Sequence, residues 1–206
     1  AIATAKRLGA KVQAYDVRSA SADEVRSMGG TFIELDLDAQ ADGQGGYAKE
    51  LSSDRQKRQQ ELLTPYVTAA DIVITTAAIP GRPAPRLITK TMMKDMKPGS
   101  VLIDLAAETG GNVEGAVAGK DTPIKVQGGK GNATLVGMKD VPSTMPYDAS
   151  RLYAKNIANL LALMNADGKI QPDFEDEVVV GACLTRDGEI NHEPTREALA
   201  PKKKGA

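Results

Sequence analysis

The chain has 206 residues, enough to bury a sizeable core and to make one large or two small domains. Its 26 basic and 27 acidic side chains leave a net charge of -1, and 3% aromatics with no Trp supply few stacking platforms, so nothing points to a nucleic-acid surface. One Cys (Cys183) and one His (His192) exclude an intrachain disulfide and leave no credible His/Cys metal site or nucleophile–histidine constellation.

Ala1 to Gly9 reads as the body of an amphipathic helix ended by Gly9, with no initiator Met, signal peptide or N-cap, so the chain reads as a fragment. Lys11 to Asp16 alternates apolar and polar residues, a short strand ending in an acid. Ser21-Ala22-Asp23-Glu24 is a capping box that opens a helix through Val25 and Met28, closed by Gly29-Gly30. Thr31 to Leu37 is the next strand. The order helix, strand, helix, strand predicts a parallel, doubly wound α/β sheet. From Asp38 to Glu50 the chain is polar and Gly-rich, which predicts a mobile loop centred on Gly43 to Glu50. Tyr47 among those glycines is either a ring with a surface to close on or an incidental side chain of a solvated loop. Ser52 to about Tyr66 is a highly charged helix, read as a solvated face, with Pro65 near its end.

Asp71 to Thr75 is an apolar strand feeding Thr75-Thr76-Ala77-Ala78-Ile79-Pro80-Gly81-Arg82-Pro83-Ala84-Pro85. Three prolines and a glycine continue neither a helix nor a ladder, so the chain leaves its strand as a shaped loop. Ligands of open parallel sheets bind outside the carboxyl ends of strands, which makes this loop a candidate site wall; a rigid surface turn is the alternative. Ile88 to Lys97 is a short helix capped by Thr89, and Ser100 to Ala106 is a buried strand ending in Ala107-Glu108-Thr109-Gly110-Gly111-Asn112. Two consecutive strands thus finish in loops on one predicted edge. A strand or hairpin follows over Ile124 to Gly137, turning at Gly128 to Asn132. Prolines 142 and 146 mark a change of organisation, with residues 1–145 as one domain and 146–206 as a long helix and the remainder of a second. Ala149 to Met164 is that helix, ended by Asp167-Gly168. Glu177 to Thr185 reads as a strand, Asp187-Gly188 as a hairpin turn into Glu189-Ile190, and the tail from Pro201 as disordered. No run of about 18 apolar residues reads as a membrane span.

Asp16 is the sharpest candidate residue. In a dinucleotide-binding βαβ unit, an acid ending the second strand accepts hydrogen bonds from the adenosine ribose, and its charge repels a 2′-phosphate, favouring NAD over NADP. Arg18 weakens that preference, because an Arg there also pairs a 2′-phosphate; the alternative for Asp16 is an ordinary strand-end turn residue. Asp104 and Glu108 are the remaining acid pair, Asp104 reading as a satisfied buried carboxylate, and His192 reads as a surface side chain. With no catalytic acid, base, nucleophile or metal ligand, hydride transfer is the reaction class that fits. There the cofactor carries the reactive atom and the protein supplies orientation.

Ala1 to Ala10, Asp16-Val17-Arg18, Gly45-Gly46-Tyr47-Ala48-Lys49-Glu50, Thr75 to Pro85 and Lys97 to Asn112 together resemble the NAD(H)-binding component, domain I, of the proton-translocating NAD(P) transhydrogenase alpha subunit. The resemblance runs in order from Ala1 to about Asp187. Alanine dehydrogenase is a relative with a similar loop and sheet, and the Gly45 to Glu50 segment favours the transhydrogenase. The resemblance implies a Rossmann-like doubly wound parallel sheet missing its first strand and glycine turn, followed by a long helix and strands of a second α/β domain. It implies that Asp16, Val17 and Arg18 meet the adenosine ribose and its neighbours, that Gly46 and Tyr47 belong to a loop closing over nucleotide, and that Thr75, Thr76 and Ala77 line the nicotinamide side. It further implies that NADH held here passes hydride to NADP(H) on a separate component, coupled to proton movement through a membrane-spanning component. A homodimer at the inner face of the cell membrane is implied as well. The family's glycine turn and its nicotinamide-orienting N-terminal segment are expected upstream of Ala1. The runner-up is an alanine dehydrogenase-like amino-acid oxidoreductase, and a third reading is a non-enzymatic module on a degenerate Rossmann fold. Val113 to Thr134 departs from the family pattern and carries no assigned role.

Overall fold

The computed structural model describes residues 1–37, 53–79, 81–127 and 131–200; the segment 38–52 with Gly46 and Tyr47, Pro80, the turn residues 128–130 and the tail from Pro201 lie outside the described residues. The chain divides into two compact units, Ala1–Val141 and Pro142–Ala206.

In the first unit, α1 (Ile2–Arg7) stops where Gly9 takes a φ of 88°, a conformation that costs glycine little. Strands β1 (Gln13–Ala14) and β2 (Thr31–Phe32) flank α2 (Ser21–Ser27) and pair in parallel, Gln13 opposite Thr31 and Ala14 opposite Phe32. The capping box expected at Ser21 is not formed. The helix is preceded by Ala20 with no side-chain cap, because the buried Ser21 hydroxyl is taken by Asp16. Helix α3 (Ser53–Ala69) runs past Pro65 and ends beyond the expected Tyr66. Leu63 and Val67, on either side of the proline, are buried in the core, so packing carries the helix through a residue that would end it in isolation.

A four-stranded sheet follows, in the order β3 (Ile72–Thr75), β4 (Val101–Asp104), β6 (Asn132–Gly137), β5 (Lys120–Lys125). The first three are parallel and β5 is antiparallel to β6, which is the expected hairpin, begun four residues earlier at Lys120. Helix α4 (Lys90–Lys94) makes the crossover from β3 to β4, its start fixed by Thr89 Oγ1 accepting from the Met92 amide at 3.3 Å. Met92, Met93 and Met96 drop from this helix onto Leu102 and Leu135 of the sheet, joined by Leu63 and Val67 of α3. Tyr15 and Leu35 pack against the same cluster, so the β1–β2 pair shares the core of the larger sheet. The unit is an α/β, Rossmann-like fold with a mixed, mainly parallel sheet.

In the second unit, α5 (Pro146–Leu163) begins three residues before the expected Ala149, because Pro146 at the first turn has its φ already set for a helix and needs no N–H partner there. Asp167-Gly168, with φ of 50° and 77°, does more than end that helix. It is the turn of a hairpin between β7 (Asn165–Ala166) and β8 (Lys169–Ile170). The strand expected from Glu177 is instead a helix, α6 (Glu177–Ala182). Asp176 Oδ1 accepts from the amides of Val178 at 2.8 Å and Val179 at 3.1 Å, and that cap, with Val179 buried, overrides the β preference of three valines. Strands β9 (Thr185–Arg186) and β10 (Glu189–Ile190) form the expected hairpin, Asp187 and Gly188 both having positive φ. His192 is exposed and precedes α7 (Glu193–Leu199), a helix not anticipated from the sequence, with Nδ1 2.8 Å from Thr195 Oγ1. Among the described residues no helix is long and apolar enough to cross a membrane, and no group of three or more His, Cys, Asp or Glu is placed to hold a metal ion.

Candidate functional site

The parallel register puts Thr75, Asp104 and Gly137 in one row at the carboxyl ends of β3, β4 and β6. Both loops singled out for their composition therefore leave the same sheet edge, where ligands of such sheets bind. Thr75 is buried, Ala77 half-buried and Thr76 exposed.

The fully buried Asp104 carboxylate organises this edge. Oδ1 accepts from the Ala106 amide at 2.9 Å and from Thr75 Oγ1 at 3.3 Å, and Oδ2 accepts from the Val113 amide at 2.9 Å. One side chain thus closes the turn after β4 and ties it to the end of β3, as a satisfied buried acid should. Gly111 has a φ of 78°, and a Cβ there would stand 2.7 Å from Asp104 Oδ2, so the turn requires glycine.

Asn112, also fully buried, reaches across to the other loop. Its Nδ2 donates to the carbonyls of Ala77 and Pro85, each at 2.8 Å. The two acceptors fix the amide's orientation, since the flipped amide would set oxygen against oxygen. Asn112 Oδ1 is left buried without a protein partner, at a cost on the order of 1–3 kcal/mol. The Asn112 carbonyl accepts from the amides of Leu87 at 2.8 Å and Ile88 at 3.0 Å, and the Thr109 carbonyl accepts from Ala84 at 2.8 Å. Arg86 donates to the carbonyls of Val113 and Gly110, while its own carbonyl accepts from Gln56 Nε2 at 3.2 Å and Gln60 Nε2 at 2.8 Å. The Thr75 to Pro85 loop is therefore gripped from the β4 turn and, beyond it, from α3. A shallow open depression lined by Gly81, Arg82, Pro83 and Thr109 lies between the two loops.

Asp16 follows the end of β1 as a half-buried carboxylate. Oδ1 accepts from the Arg18 amide at 2.9 Å and from Arg18 Nε at 3.0 Å, and Oδ2 accepts from Arg18 Nη2 at 2.9 Å. Burial pushes its pKa up, but the Arg18 hydrogen bonds and charge, with the Ser21 hydroxyl, more than offset this and hold it below the ordinary aspartate value. The carboxylate is ionised at neutral pH and presents acceptors only. Val17 beside it is half-buried. Tyr15 accepts at its hydroxyl from Gln59 Nε2 at 2.9 Å, tying β1 to α3, and burial raises its pKa.

Because the folded-state pKa of Asp16 is depressed, the pair stabilises the fold above the ordinary aspartate value of 3.8 and loses that contribution as pH falls through the lowered value. Arg18→Ala is expected to be less stable than the parent at neutral pH, with the difference shrinking in acid below about pH 4. Urea unfolding at several pH values measures this, and an equal deficit at neutral pH and at about pH 2 sinks the account.

The structure gathers the candidates into two groups, Asp16, Val17 and Arg18 after β1, and Thr75, Thr76 and Ala77 after β3. Gly46 and Tyr47 lie outside the described residues. Sequence reasoning missed Asn112, Arg86 and the buried Gln59. The Gly-Gly-Asn run closing a strand-end loop was the available signal for Asn112. Gln59 was concealed by the charged residues around it. Chemically, an ionised acceptor at one strand end suits a vicinal diol, and an anchored wall of small residues at another suits a planar ring, so the residues present fit a dinucleotide.

Residues 1–193 match the family "Alanine dehydrogenase/PNT, C-terminal domain". The chain is 50% identical over 196 residues to an NAD(P) transhydrogenase alpha-subunit protein of Rhodospirillum rubrum, covering 93% of this chain and 50% of that protein. It is 47% identical over 191 residues to NAD(P) transhydrogenase subunit alpha of Haemophilus influenzae, covering 92% of this chain and 36% of that one. The structure of transhydrogenase from Sinorhizobium meliloti is similar with a TM-score of 0.67 and 43% identity, over 92% of this chain and 48% of the other. The chain thus spans half or less of the length of these relatives. An L-alanine dehydrogenase structure, 20% identical with a TM-score of 0.55, shares the fold. By these matches the chain belongs to the alanine dehydrogenase/PNT C-terminal domain family.

Proposed function

We propose that this chain belongs to the NAD(H)-binding component of a proton-translocating transhydrogenase, which transfers hydride directly between NAD(H) and NADP(H) held on a partner component. The observation that carries this over an amino-acid dehydrogenase is the breadth of the match. Transhydrogenase alpha subunits align with more than nine-tenths of the chain at 41–50% identity, whereas alanine dehydrogenase 2 of Staphylococcus aureus aligns over 137 residues at 33%.

Bound NAD(H) supplies the hydride and its acceptor carbon, so the protein's work is orientation. Asp16 accepts hydrogen bonds from the adenosine ribose hydroxyls, and its negative charge disfavours a 2′-phosphate. Arg18 holds that carboxylate in a single rotamer, with Val17 beside the ribose. Thr75, Thr76 and Ala77 form the wall on the nicotinamide side, and Gly46 and Tyr47 contribute to the same nucleotide site. Residues 1–145 make the nucleotide domain and 146–206 complete a second one. The assembly is a homodimer that meets its NADP(H)-binding and membrane-spanning partners at the inner face of the cell membrane.

Asp16→Asn in the natural full-length protein tests the reading. NADH affinity is expected to fall about tenfold while the preference for NADH over NADPH narrows, because the ribose loses an ionised acceptor and the 2′-phosphate loses its repulsion. Titration of nicotinamide fluorescence measures both. Unchanged affinity and unchanged preference would overturn the site, and NADH oxidation driven by pyruvate and ammonia would overturn the reaction in favour of an alanine dehydrogenase.

A further inference from the structure

We propose that Asn112 is a positioning residue for the nicotinamide end of the site, holding the chain at Ala77 and at Pro85 from one rigid amide; this rests on the dinucleotide reading above. Nδ2 has two hydrogens and spends both, at 2.8 Å each, on carbonyls 35 and 27 residues away in sequence. No other side chain of this reach can do the same. Aspartate donates nothing when ionised, serine donates once, and glutamine carries its amide one carbon further out.

The amide is itself immobile. The Asn112 carbonyl is tied to the Leu87 and Ile88 amides, the next amide, Val113, is tied to Asp104, and Gly111 behind it packs in a positive-φ turn against the same carboxylate. Asn112 therefore acts as a fixed reference to which the wall loop is pinned at two points. Between those points the described residues Gly81, Arg82 and Pro83 are exposed, as is Ala78, so burial contributes little to the loop's position. The hydrophobic core lies elsewhere, around Met93, Met96, Leu102 and Leu135. Release of the two bonds should move the wall and leave the sheet in place.

The test compares NADH with ADP-ribose, which shares the adenosine and both phosphates but has no nicotinamide. It is made on the natural full-length protein with Asn112→Asp and Asn112→Ser. Asn112→Asp is expected to weaken NADH binding about tenfold or more and ADP-ribose by no more than about twofold. The serine variant, which keeps one donor, should fall between. At saturating NADH, kcat for hydride transfer should drop as well, because a displaced wall misaligns the ring. A purely structural role would depress both ligands together. If the variants do not fold, the parent protein decides through amide hydrogen exchange. There NADH, and not ADP-ribose, should slow exchange at Ala84, Leu87 and Ile88. Equal losses for the two ligands, or exchange at those amides indifferent to the nicotinamide, would overturn the assignment. A parent protein that binds neither ligand would overturn the dinucleotide reading, and this inference with it.

Discussion

Asp104→Ala is expected to lower the free energy of unfolding by about 3–5 kcal/mol, because it strands two buried backbone donors and leaves a cavity among close-packed neighbours. The Ala106 and Val113 amides and the Thr75 hydroxyl lose their shared acceptor in one step, in a position with no exposure to water. Asp104→Asn keeps the volume but turns an NH2 group toward one of the donors, so it should fall short of alanine's effect without being neutral. Urea unfolding followed by circular dichroism measures both variants. A loss below about 1 kcal/mol for the alanine variant would mean that the turn after β4 is held by its backbone alone.

The second large effect is expected at Gly137, the last residue of β6. A Cβ there would lie 2.1 Å from the Val117 carbonyl oxygen and 2.7 Å from its carbon, and neither is the end of a flexible side chain. The same corner carries the bonds from the Gly119 amide to the Gly137 carbonyl at 2.8 Å and from Lys120 to Val117 at 3.1 Å, so the turn cannot retreat without breaking them. Gly137→Ala should cost about 3 kcal/mol and raise amide exchange at Gly119. Gly99→Ala is the control. Its φ of 85° is unfavourable for alanine, yet nothing lies within 4 Å, so only the backbone cost of about 1 kcal/mol applies. Equal losses at the two positions would remove the steric argument.

Where local chemistry decides a conformation, residues announced it. Thr89 as a cap, Asp187-Gly188 as a hairpin turn, and the apolar runs that became β3 and β4 were all legible because each signal involves neighbours a few residues apart. Asp16 at a strand end was legible for the same reason. Where two signals compete locally, reading was less secure. Val178, Val179 and Val180 favour a strand, but the Asp176 carboxylate caps two of their amides and one of them is buried, and a helix results. Ser21 looked like a cap until the fold brought Asp16 within reach of its hydroxyl.

The sequence by itself determined the alternation of helices and strands, the two strand-end loops as site candidates, and a family resemblance carried by ordered motifs. It did so through periodicity, turn chemistry and residue order, all of them properties of short stretches. Only the tertiary structure decided that Thr75, Asp104 and Gly137 share one row, that Gln59 of a charged helix is buried against Tyr15, and that Asn112 bridges Ala77 and Pro85. Those contacts join residues 27 to 44 positions apart, and they depend on sheet register and on which faces meet in the core.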